Sequence, residues 1–312
     1  MSTDNVRYDN YTLYGIHGKI SRDLLAGYSY FLVVSSVIGD TLILVGSYRY
    51  SAIKLHKILV ALIQHLAAAD LVFSLARVLP GAVSLTLNFS GIFDHLGCYP
   101  AFFLSCVVYG VLVNLPCALA AAKCMLVKFP LRGVHVSSRA AHLTASFIWI
   151  SCILFSTTTL VNNEGEIYFS YLTYNCQCSY SYDTWGSAWS TAKFVILGIF
   201  LLVLILITLL SSVVLVLEAR RVTERGRSAL RWQGLITVLL TVLLNFTTNI
   251  PCVVYLLGGQ IVQENPPGPF HIVFFRAAVF VAYFNVVTNF YIYSLTLPSF
   301  REFLKSKILP HA

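Results

Sequence analysis

The chain has 312 residues, 57% of them apolar and 11% charged, with a formal net charge of +8 and a mean hydropathy of +0.76. Soluble domains carry about 25% charged residues, so this composition excludes an ordinary water-soluble fold and makes lipid the solvent. The basic residues fall between apolar runs and form no continuous stripe, which sets aside a nucleic-acid partner in favour of membrane topology.

Residues 1–23 are polar and charged, without the short apolar core and small-residue site of a cleaved leader. The first apolar run is expected to act as an uncleaved signal anchor. Asn10-Tyr11-Thr12 and Asn88-Phe89-Ser90 are glycosylation sequons, and Asn10 is the expected site; a third, Asn245-Phe246-Thr247, sits inside an apolar run. About 20 apolar residues cross a bilayer as a helix. Seven stretches qualify: Leu24–Tyr48, Ile58–Leu85, Tyr99–Val127, Leu143–Val161, Phe194–Leu217, Leu235–Leu257 and Ile272–Leu297. The connections are short, and no internal repeat of the transporter kind is visible.

Lys and Arg fix the expected orientation. One side carries Arg49, Lys54, Lys57, Lys128, Arg132, Arg139, Arg220, Arg221, Arg225, Arg227, Arg301, Lys305 and Lys307; the other has little beyond Arg7, Lys19 and Arg22. The N-terminus is therefore expected outside the cell and the C-terminus inside. Phe300, Phe303, Leu304 and Ile308 recur at helical spacing, which predicts a short amphipathic helix on the inner leaflet. The expected fold is an all-α membrane protein, a seven-transmembrane helix bundle with that short helix after it. Residues 1–23 form the outer N-terminus, 24–297 the bundle, and 298–312 the amphipathic helix and tail.

Landmarks occur in six of the seven spans: Gly39-Asp40 in the first, Leu66-Ala-Ala-Ala-Asp70-Leu71 in the second, Cys98 opening the third, Trp149 in the fourth, Pro251 in the sixth, and Asn285-Val-Val-Thr-Asn289-Phe-Tyr-Ile-Tyr293 closing the seventh. In this order and spacing the chain resembles the rhodopsin-like G-protein-coupled receptors, from Gly39 to Leu304. The resemblance implies a plasma-membrane receptor, not an enzyme, that binds an extracellular small-molecule or peptide ligand and partners a heterotrimeric G protein. It implies a disulfide from Cys98 to the second outer loop, where Cys176 and Cys178 are both open. It also implies a sodium ion near Asp70, with Asn285 and Asn289 close by; no other cofactor or metal is expected. Independently, Asp70 is a carboxylate at mid-membrane, where an unpaired charge costs at least ~2.5–3.5 kcal/mol. It must face the interior and find donors or a cation, and Asp40 is a second acid with which it could share a proton.

Several switch positions depart from the family. Ala122-Lys123-Cys124 replaces Asp-Arg-Tyr, so Lys123 keeps the charge without the planar fork of donors and Ala122 cannot restrain it. Arg231 stands near the inner end of the sixth span, where many relatives carry an acid. Asn249 replaces the aromatic toggle before Pro251, Phe290 replaces the seventh-span proline, and Pro116 lies inside the third span. Leu112 stands where the family often has Ser. For the ligand, Ser105 occupies the position of the aminergic Asp and Tyr283 that of the retinal-binding Lys, which removes the amine anchor and excludes a pigment. Arg77 and Arg276 are intramembrane cations suited to a carboxylate or phosphate, so the expected ligand is anionic or a small chemosensory molecule; Ser105, Tyr109, Asn249 and Tyr283 are further candidates for the ligand site. The alternatives are a receptor-shaped, non-signalling decoy or partner, and a transporter or proton-handling protein built around Asp40, Asp70 and Asn289.

Overall fold

A computed structural model describes residues 15–49, 53, 55–87, 95–128, 137–161, 167–170, 177–180, 188–224, 229–261 and 269–308. The first span is α1 (Gly15–Arg49). The second is α2 (Lys57–Phe73), a π turn (Ser74–Val78) and α3 (Leu79–Leu87) in one continuous run. Then come α4 (His95–Lys128) and α5 (Ser138–Val161), the third and fourth spans. A hairpin of β1 (Ile167–Ser170) and β2 (Gln177–Tyr180) follows, pairing Phe169 with Cys178 and leaning on α4. The fifth, sixth and seventh spans are α6 (Ala188–Glu224), α7 (Ala229–Ile261) and α8 (Pro269–Thr296), and α9 (Pro298–Ile308) is the short last helix. Among the described residues, Asp23–Arg49, Lys57–Val83, Phe103–Lys128 and Ser138–Thr157 are long and apolar enough to cross a bilayer, and Leu206–Glu218 and Gln233–Asn249 add shorter apolar stretches.

Of the four long apolar spans among the described residues, the second is the most deeply buried. Leu66, Ala67, Ala69 and Asp70 are all buried, and the three alanines at 67–69 let neighbouring backbones approach closely. Its outer half is reset by Pro80. A proline at that position has no N–H for the carbonyl of Ala76, one α-turn back, and its ring crowds that carbonyl. The chain answers by widening: Leu79 donates its N–H to the Ser74 carbonyl, five residues earlier.

The fourth span is peripheral, showing Leu143, Phe147, Ile150 and Leu154 at helical spacing as an exposed apolar stripe. In a lipid solvent that stripe needs no protein cover. Close approaches hold the inner spans. A Cβ on Gly110 would lie 3.0 Å from the Cys152 sulfur, and the Cys117 thiol meets the Thr208 hydroxyl at 2.8 Å across the third and fifth spans. The Cys124 thiol donates to the Ser211 carbonyl at 3.3 Å, one step further along the same seam.

The amphipathic helix docks as the spacing of its aromatics predicts. Phe300 and Phe303 are buried and stacked 5.9 Å apart, seated over Gly46, where a Cβ would come within 3.0 Å of Phe303. Arg301 closes the joint from outside, donating to the Ser294 and Leu295 carbonyls at 3.2 and 2.7 Å. Those carbonyls end α8 and have no partner within the helix.

Candidate functional site

Three groups of polar residues run along the bundle axis. The first is a carboxylate knot. Asp40 and Asp70 have no exposed surface and lie near enough to feel each other's charge. Asn289 donates its side-chain N–H to Asp70 Oδ2 at 2.6 Å, and Ser36 donates to Asp40 Oδ2 at 2.6 Å from one turn away on the same helix. The second oxygen of each acid, Asp40 Oδ1 and Asp70 Oδ1, has no hydrogen-bond partner among the described residues, nor has Ser74 Oγ one turn beyond Asp70. Asn285 is buried, and its side-chain oxygen accepts from the Thr288 hydroxyl of its own helix at 3.4 Å, while the same hydroxyl donates to the Asn285 backbone carbonyl at 2.8 Å. Leu112 is buried in the core.

The second group lies along the sixth and seventh spans. Asn249 donates to the carbonyl and side-chain oxygen of Asn245, at 2.7 and 3.1 Å. It is therefore folded back along its own helix just before Pro251. Thr247 and Thr248 bond the Leu243 and Leu244 carbonyls in the same backward sense, at 2.9 and 2.8 Å, a pattern that bends helices. Tyr293 is buried with its hydroxyl facing that of Thr241. At the basic end of the bundle, the Thr237 and Thr296 hydroxyls meet at 2.8 Å and tie the two spans together.

The third group forms the far end. Phe73 is buried between two tyrosines, its ring centroid 6.5 Å from that of Tyr109 and 5.8 Å from that of Tyr283. Arg77 sits one turn outward of Phe73 within the π turn, near the Cys106 thiol of the third span, and Ser105 is buried beside it in sequence. Phe73 was not a sequence candidate; as one apolar residue in an apolar span it carries no signal until the fold puts it between the tyrosines. Ser36, Ser74 and Thr241, single small hydroxyls within apolar spans, carry no more signal.

At the basic end, Lys123 extends across to the sixth span. A Cβ on Gly234 would lie 3.4 Å from Lys123 Nζ and 2.8 Å from Leu55, so the bare glycine makes room for the ammonium group. Ala122 is buried. Asn10 and Cys176 lie outside the described residues. Cys98, Cys178, Arg231 and Arg276 lie on described backbone, but their side chains are outside the described set.

The sequence matches the profile of the seven-transmembrane receptors of the rhodopsin family over residues 39–293. The chain belongs to that family. It is a multi-pass membrane receptor and not an enzyme. Squid rhodopsin shares its fold, with a TM-score of 0.76 at 17% identity over 93% of this chain and 86% of that one. No curated protein sequence matches the receptor. The matched span begins at Gly39 and ends at Tyr293, so both acids of the carboxylate knot, Lys123 and the asparagines of the sixth and seventh spans fall within it.

Proposed function

We propose that this receptor lies in the plasma membrane with its N-terminus outside and couples an extracellular ligand to a heterotrimeric G protein. The ligand enters the end of the bundle that holds Arg77, Ser105 and the cluster of Phe73, Tyr109 and Tyr283. The Arg77 guanidinium, one turn beyond the Phe73 and tyrosine cluster, suits a small anion with an apolar body. The observation that carries the coupling half is the reach of Lys123 to Gly234. It spans the third and sixth helices at the basic end, which the loop charges mark as cytoplasmic. Together with the Thr237–Thr296 contact it describes a closed inner face. A G protein must open that face, and Lys123 is the cation uncovered when the sixth span withdraws.

The carboxylate knot suits a sodium ion. Its unsatisfied atoms, Asp40 Oδ1, Asp70 Oδ1 and Ser74 Oγ, are all oxygens, the donors a hard cation takes. Sodium there would supply positive charge to two buried carboxylates that otherwise have only Asn289 and Ser36.

The deciding experiment is ligand-free G-protein activation in cells, read with a panel of dissociation sensors at matched surface expression. Lys123→Ala is expected to abolish basal signal. Ala122→Asp is expected to damp it, because the new carboxylate sits beside Lys123. Absence of signal from any G protein, with normal surface expression and after a screen of anionic ligands, would overturn the reading in favour of a non-signalling partner.

A further inference from the structure

The seam between the second and fourth spans holds a pair of residues that the receptor reading does not use. His65 of α2 and His142 of α5 meet edge to face, with ring centroids 5.3 Å apart and planes at 65°. Nε2 of His65 lies 3.1 Å from Nδ1 of His142. Both rings are half-buried. His142 lies about one turn inside the basic end of α5 and His65 about two turns inside that of α2, so the pair is within reach of that surface. As two neutral imidazoles they share one hydrogen, donated by one ring to the lone pair of the other.

The same gap fits a metal ion. Zinc binds imidazole nitrogen at about 2.0–2.1 Å in tetrahedral geometry, which sets two such ligands about 3.3 Å apart. The nitrogens here are already within a few tenths of an ångström of that separation. We propose that His65 and His142 form a zinc-binding site that joins the second and fourth spans. The donating ring moves its hydrogen to its other nitrogen, so both inward nitrogens present lone pairs to the metal. No proton is lost and the rings stay neutral. Among the described residues no third His, Cys, Asp or Glu completes a cluster, so water fills the remaining positions and a chelator removes the ion. Such a site clamps two helices instead of caging a structural metal.

The site stands whether or not the receptor couples to a G protein. Its test is the thermal unfolding of the full-length receptor in lipid nanodiscs with zinc chloride added, followed by excess EDTA. Zinc is expected to raise the midpoint by about 2–4 °C, and EDTA to return it. His65→Ala and His142→Ala should each remove the shift, while His142→Cys should keep it, because a thiolate also ligates zinc. His142 is only half-buried on the peripheral fourth span, so its variants are expected to fold. A wild-type receptor indifferent to zinc would overturn the proposal, and so would a His142→Ala receptor that shifts as far as wild type.

Discussion

Single residues in this receptor act mostly by being small or by leaving an atom unpaired. Gly39 is the clearest case of the first. A Cβ there would lie 2.7 Å from the Phe290 Cβ and 2.8 Å from its Cγ, closer than packed carbons approach. Phe290 replaces the proline common in the family, and the glycine beside it accommodates the ring. Gly39→Ala is therefore expected to destabilise the receptor by about 1–3 kcal/mol, the usual cost of overpacking. Adding Phe290→Ala should recover much of that loss, and chemical denaturation of the four members of the cycle measures the coupling. The unpaired atoms are those of the carboxylate knot. If sodium occupies it, replacing sodium with an organic cation such as N-methylglucamine should lower the thermal midpoint of wild type. Asp70→Asn should be indifferent to the exchange, since it removes the charge that holds the ion. Equal midpoints for wild type in the two salts would leave the knot as a hydrogen-bonded polar cluster.

At the scale of elements, the joint between the seventh span and α9 has a hierarchy. The buried part is the seating of Phe300 and Phe303 on Gly46, and the exposed part is the pair of hydrogen bonds from Arg301. Solvent competes for the second and not for the first. Gly46→Leu should thus release α9 from the first span, with hydrogen exchange across residues 298–308 rising sharply, whereas Arg301→Ala should raise it only near the junction. This helix was legible in the sequence because its aromatics recur with the period of a helix in a polar stretch. The seven spans were legible because lipid demands length and apolarity together. The π turn and the loop hairpin were not: the first follows from Pro80 removing a four-residue helical bond, which the chain replaces with one five residues wide, and the second from pairing between two short stretches that carry no strong alternation. The acid at position 70 could be assigned to the interior from its cost alone, but Asn289 and Asn285 could not be told apart until the helix phase put one on Asp70 and the other on Thr288. His142 had no signal at all before the fold brought it to His65.

Across the whole molecule, polar residues run along the bundle axis from Arg77 near one end to Lys123 and Thr237 at the other. The sixth span lines much of that column with Asn and Thr in place of the aromatic toggle. Its inner end is held by contacts that depend on the absence of a side chain at Gly234. Gly234→Leu should drive the helix away from Lys123 and Leu55, raising ligand-free G-protein activation several-fold while lowering thermal stability. Sensor output at matched surface expression reads the first and a melting curve the second; a rise in neither would mean that this contact does not govern the inner face. The widened turn in the second span adds a different freedom. One residue of an α-helix corresponds to about 100° of rotation, so Ser74–Val78 works as a gear slipped by one tooth between Asp70 below and the outer segment above. Deleting a single residue there would re-time the two halves, turning the outer segment about the axis while the carboxylate knot keeps its bearing. The bearing of the outer segment and that of the carboxylate knot can thus be inherited separately along one continuous helix.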